Sequence, residues 1–199
     1  MQRFKELERE FLHMDEKAGA KEKIMKVVVG LLMENKDLNK VTNRDIASMA
    51  GVNSALINYY YQSKDNLISM AASACMANIA ETLFDNAEEL RPADRIKKML
   101  KSFSDFCFSN TVLGEIAVSA ELKQGSIHTS GVLLPLFKEH FGARKSDLEL
   151  KLLTLQLLHP MQMLFLNRAE YKTYLSCDLS GSGDRNLVID MLVDNIFVD

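Results

Sequence analysis

The stretch Val41–Lys64 reads as two helices of seven or eight residues joined at a glycine. Helices that short do not form without tertiary support. In the first, Thr42 can cap the N-terminus, with Asp45 three residues on as an acidic partner in the first turn. Ile46, Ala47 and Ala50 make its inner face, and Gly51 stops it by taking the left-handed conformation. Val52 plugs the turn, and Asn53 can cap the second helix, Ser54 to Tyr60. Two such helices are stable only when packed together on a third. Ile24, Val27, Val28, Leu31 and Leu32, spaced i, i+3, i+4, i+7, i+8, supply the stripe of that third helix. Ser63 can cap a fourth, beginning at Lys64 and running to about Glu89. The stretch therefore predicts a helix-turn-helix unit.

Composition supports a helical chain. Its 199 residues hold only three prolines and nine glycines, too few for the frequent turns of a sheet protein. At 47% hydrophobic and 26% charged, it can bury a full core. Residues 1–20 carry Phe4, Leu7, Phe11 and Leu12 at the spacing of an amphipathic helical arm. Further helices are expected from Pro92 to about Ser109, Gly114 to Lys123, Val132 to His140, Asp147 to Asn167 and Leu187 to Phe197. Pro160 should kink the long one after about Gln156. Ser180-Gly181-Ser182-Gly183 reads as a loop. The expectation is an all-α fold of about nine helices: an arm (1–20), a helix-turn-helix domain (21–68) and a larger helical domain (69–199).

Cys75, Cys107 and Cys177 stand far apart, an odd set that points to a reducing cytoplasm. The charged start MQRFKELEREF has no apolar signal region. The oily run Leu152–Leu166 is too short and too often interrupted by polar residues to span a bilayer. Charge is uneven: residues 21–64 carry net +3, those before them −1 and those after them −5. A mildly basic segment in an acidic chain suits a local nucleic-acid footprint.

In a helix-turn-helix the second helix enters the major groove. Here Ser54, Ala55 and Asn58 are small or polar enough to approach base edges, and Asn58 can bond adenine bidentately. Ile57 is the inward residue. Tyr59, Tyr60 and Tyr61 are consecutive, so they cannot all point into a core, and tyrosine hydroxyls suit phosphate oxygens. Lys64 adds a cation at a helix N-terminus that already favours an anion. Arg44 can reach a guanine or a phosphate.

The segment TNRDIASMAGVNSALINYYYQSKDNLI resembles the DNA-binding domain of the TetR family of bacterial repressors. The match falls on Thr42, Ile46, Ala47, Ala50, Gly51, Val52, Ile57, Tyr60, Ser63, Lys64 and Leu67. Asn53 replaces the family's serine or threonine, Asn58 a common tyrosine and Tyr61 a common phenylalanine. The resemblance implies that Arg44, Ser54, Ala55 and Asn58 read bases. It implies that Thr42, Tyr59, Tyr60 and Lys64 hold phosphates, with Asn53 beside them at the helix start.

The resemblance also implies a C-terminal domain for ligand binding and dimerisation. The residues agree in outline. The segments 147–167 and 186–198 are apolar on nearly every side, more than one core can cover, which suits a homodimer built through both. Phe84, Met99, Phe103, Cys107 and Met163 offer adaptable apolar lining for a small apolar or amphipathic ligand. Glu115, His128 and His159 can add polar contacts. A stripe of such residues also serves as plain core, so a DNA-binding protein without a small-molecule ligand is the alternative. No histidine pair has metal spacing, and there is no GxSxG, HExxH or phosphate-binding glycine loop. No cofactor, metal or enzymatic activity is expected. The partner expected is double-stranded operator DNA.

Overall fold

Ten α-helices and two short 3₁₀ turns, with no strand, make up the described residues of the computed structural model: 19–83, 89–125 and 128–197. The arm up to residue 18, Phe84 and the side chain of His128 lie outside the described residues. No helix among the described residues is long and apolar enough to cross a membrane.

The chain divides into two compact units. The first takes the residues up to Ala80 together with Asn110–Ala117. Its helix α1 (Ala20–Met33) buries Ile24, Val28, Val29 and Leu32. The stripe is rotated from the one expected: Val29 is buried, whereas Val27 and Leu31 are half-buried. Helices α2 (Asn43–Ala50) and α3 (Ala55–Tyr61) both pack on α1, and the buried stripe follows them. Helix α4 (Lys64–Leu83) follows, with Leu67, Ile68, Ala71 and Ala72 buried.

The second unit comprises Glu81–Ser109 and Val118–Asp199. It holds α5 (Pro92–Ser109), the second half of α6 (Thr111–Gln124), α7 (His128–Phe141), α8 (Asp147–Leu166), α9 (Arg168–Leu175) and α10 (Ser182–Asp194). Ile96 and Leu100 of α5, Leu133, Phe137 and Phe141 of α7, Leu157 and Leu158 of α8, and Ile189 and Val193 of α10 form one buried cluster. Ser146 caps α8 in a reciprocal box with Glu149. Lys97 and Lys101 of α5 pair with Asp190 and Asp194 of α10 along the rim of this core.

Some boundaries differ from expectation. Helix α7 begins four residues before Val132 and runs through Pro135. Helix α8 runs through Pro160 as a single helix. Ser182 and Gly183 belong to the first turn of α10 rather than to a loop. Helix α9 was not expected at all, because it buries none of its residues and so carries no apolar stripe. Arg185, near the start of α10, is buried. It donates to the carbonyls of Leu179 (2.9 Å) and Ser180 (3.1 Å), bonds Asp105, and lies 4.4 Å over the Phe108 ring. It latches the 176–181 turn onto α5, and its charge gave no sign of burial in the sequence.

Candidate nucleic-acid interface

The reading head is built from its caps upward. Thr42 Oγ1 accepts from the Asp45 N–H (3.2 Å), while the Asp45 carboxylate accepts from the Thr42 hydroxyl (2.6 Å) and N–H (2.8 Å). These hydrogen bonds hold the Asp45 carboxyl below its ordinary value of 3.8. Gly51 closes α2 at φ +63°, and the Val52 N–H returns to the Ala47 carbonyl (2.9 Å). Asn53 Oδ1 then accepts from the Ala55 N–H (2.9 Å), which starts α3.

Helix α3 turns Ile57 and Tyr61 inward and leaves Ala55, Asn58, Tyr59 and Tyr60 exposed. Tyr59 is 77% exposed and Tyr60 37%, with their rings edge to face 5.0 Å apart. Tyr61 is the opposite case. It is 1% exposed, and its hydroxyl donates to the Lys21 carbonyl at 2.6 Å, pinning α3 to the start of α1. Burial raises its pKa above the usual phenol value. Ser54 is half-buried, and Thr42, Arg44 and Asn53 are exposed. Arg44, Asn53, Ala55, Asn58, Tyr59 and Tyr60 are thus solvent-facing residues of the two short helices and the turn between them.

Lys64 is held differently. Its Nζ donates to the carbonyls of Leu38 (2.8 Å) and Val41 (2.9 Å), the first residue of the 3₁₀ turn Leu38–Lys40 and the residue that follows it. An ammonium has three N–H donors, so one is left over. Two residues earlier, Gln62 adopts φ +67° and ψ −40°, and the Ser63 N–H bonds the Tyr61 carbonyl at 2.8 Å. This is a γ-turn of positive φ, a strained form for a non-glycine residue. Asn66 Nδ2 supports it by donating to the same carbonyl (2.9 Å), and Ser63 Oγ accepts from the Asn66 N–H (3.0 Å). The corner at 61–66 sets the angle between α3 and α4. Its only sequence signal was Ser63 as a cap.

The model of bacterial regulatory proteins of the TetR family matches residues 32–70, from the end of α1 through the first turns of α4. The reading head is thus similar to the N-terminal part of TetR-family regulatory proteins. A solved structure described as a TetR-like transcriptional regulator from Rhodococcus sp. RHA1 shares the fold. It is 11% identical, with a TM-score of 0.55 over 94% of this chain and 100% of that one. No curated protein matches the chain significantly.

The ligand-lining candidates of the sequence fall beyond the two short helices. Met99 and Phe103 are half-buried and Cys107 buried, one turn apart along α5. Burial pushes the Cys107 thiol up to about 12. Glu115 is half-buried and belongs to the first unit. His159 and Met163 do not join the α5 residues. They lie on the exposed side of α8 with Leu148 and Leu152, because Leu157, Leu158 and Phe165 take the inward side. Phe84 and the His128 side chain are outside the described residues.

Proposed function

We propose that the protein is a homodimeric repressor that binds a pseudo-palindromic operator and leaves it when a small amphipathic molecule binds the larger helical domain. The observation that carries the reading is the division of labour in α3. Ile57 and Tyr61 fix the helix, and Asn58, Tyr59 and Tyr60 stand free in solvent. In this reading Arg44, Ser54, Ala55 and Asn58 face base edges. Thr42, Asn53, Tyr59, Tyr60 and the spare N–H of Lys64 face the backbone.

Support for a dimer comes from apolar side chains left in water. On α8, Leu148 and Leu152 are 67% and 55% exposed, and Met163 continues the same stripe. On α10, Leu187 and Met191, one turn apart, are also exposed. Burying two such rows against their copies removes a large apolar area from water. A head with net charge of only +3 over residues 21–64 also gains most from being presented twice.

Selection from random duplex DNA tests the reading. The expected product is an inverted repeat whose half-site centres lie about 34–36 Å apart, or near a multiple of that. Recovery of unrelated sequences, or of a single half-site bound by a monomer, would refute it.

A further inference from the structure

We infer that Glu121 and Gln162 form the polar end of the effector site and that the effector presents a protonated nitrogen to them. The inference rests on the ligand-release reading above and adds the chemistry of the ligand.

Both residues stand where a packed helix ordinarily carries apolar side chains. Gln162 follows the buried Leu158 by four residues and precedes the buried Phe165 by three, on the inward side of α8. Glu121 follows the buried Ala117, Val118 and Ala120 on α6. Both are half-buried. Inward polar groups are costly unless bonded, so their partners matter. Glu121 accepts from the Thr129 N–H (3.0 Å), the Thr129 hydroxyl (2.9 Å) and the Gln162 amide (3.0 Å). All three donors are neutral, and no Lys or Arg pairs with Glu121 among the described residues.

What is left over is entirely acceptor. A carboxylate offers about four lone-pair positions, of which three are used. Gln162 Nε2 must face the carboxylate, because a flipped amide would set oxygen against oxygen. Its Oε1 therefore points elsewhere, buried and without a partner. An anion would be repelled here. A purely apolar ligand would leave Oε1 unmet. A hydroxyl could satisfy one acceptor, but an ammonium or guanidinium serves both and also answers the carboxylate charge.

Thr129 lies in the first turn of α7, so Glu121 also caps that helix, and the helix terminus offsets part of its charge. Capping accounts for the Thr129 bonds. It does not account for the Gln162 oxygen.

Calorimetric titration of the full chain with octylammonium, 1-octanol and octanoate compares three headgroups on one tail. Octylammonium should bind about tenfold or more tighter than octanol, and octanoate weakest. Glu121→Gln keeps an acceptor for Thr129 but loses the charge. It should bring octylammonium to the octanol level, with a helical circular-dichroism spectrum like that of the parent showing that the variant is folded. Gln162→Leu should weaken ammonium and alcohol alike. Equal binding of ammonium and alcohol, a preference that survives Glu121→Gln, or no binding of any probe would overturn the inference. Fluorescence anisotropy on the selected duplex separates the two levels. Ammonium-selective binding without DNA release sinks the regulatory reading and keeps the site. Release by alcohol and carboxylate as readily as by ammonium keeps the regulatory reading and sinks the headgroup assignment.

Discussion

Lys64 holds the start of α4 and, in the proposed reading, also meets DNA. Two of its N–H groups tie the start of α4 to the carbonyls of Leu38 and Val41, which leaves a third N–H over. Lys64→Ala should therefore lower stability by about 1–2 kcal/mol as well as weaken binding to every sequence. If the third donor meets a phosphate, the dependence of log Kd on log salt should flatten by about one unit per half-site. A lowered thermal midpoint with an unchanged salt slope would assign Lys64 to the clamp alone. Asn58, exposed and without a structural duty in α3, should behave differently. Asn58→Ala should change which duplexes are preferred and leave stability untouched. An even loss on all DNA would remove it from base reading. Tyr61→Phe keeps the buried ring but drops the bond to Lys21, and chemical denaturation should show a loss of about 1 kcal/mol.

At the level of the element, the turns between helices set where the reading residues point. The Thr42–Asp45 box makes α2 sensitive to acid. The native Asp45 pKa lies below its ordinary value of 3.8, so its contribution is complete above that value. It is lost as pH falls through the lower native pKa. The gap in thermal midpoint between the parent and Asp45→Asn should hold steady near neutrality and close below about pH 4. The strained turn at Gln62 makes an opposite prediction. Positive φ costs a glutamine about 1–3 kcal/mol, and glycine adds only about 0.5–1 kcal/mol of chain entropy. Gln62→Gly should thus stabilise the domain by about 1 kcal/mol in denaturation, and a clear loss would mean that the turn stores no strain. These elements also show what a sequence can reveal. Thr42, Gly51, Asn53 and Ser63 were legible because caps and left-handed stops use few residue types. The γ-turn was not, since glutamine has no preference for positive φ. Helix α9 was missed because it buries nothing, and Lys64's inward bonds because a lysine on a basic reader suggests phosphate first.

For the whole chain, burial decides reactivity and association. Cys75 and Cys107 are buried with thiols pushed up to about 12, whereas Cys177 is half-exposed. A native thiol titration should find one fast cysteine, and denaturant should release the other two. Leu152→Lys places a charge in the exposed leucine row of α8 without touching the inward residues. Sedimentation should then report a monomer of unchanged stability and with weak operator affinity; a persistent dimer would move the interface elsewhere. The row has a further consequence. Apolar association weakens on cooling. If the proposed dimer is joined by Leu148, Leu152, Leu187 and Met191, it is loosest in the cold, and chilling should weaken operator binding with no effector present.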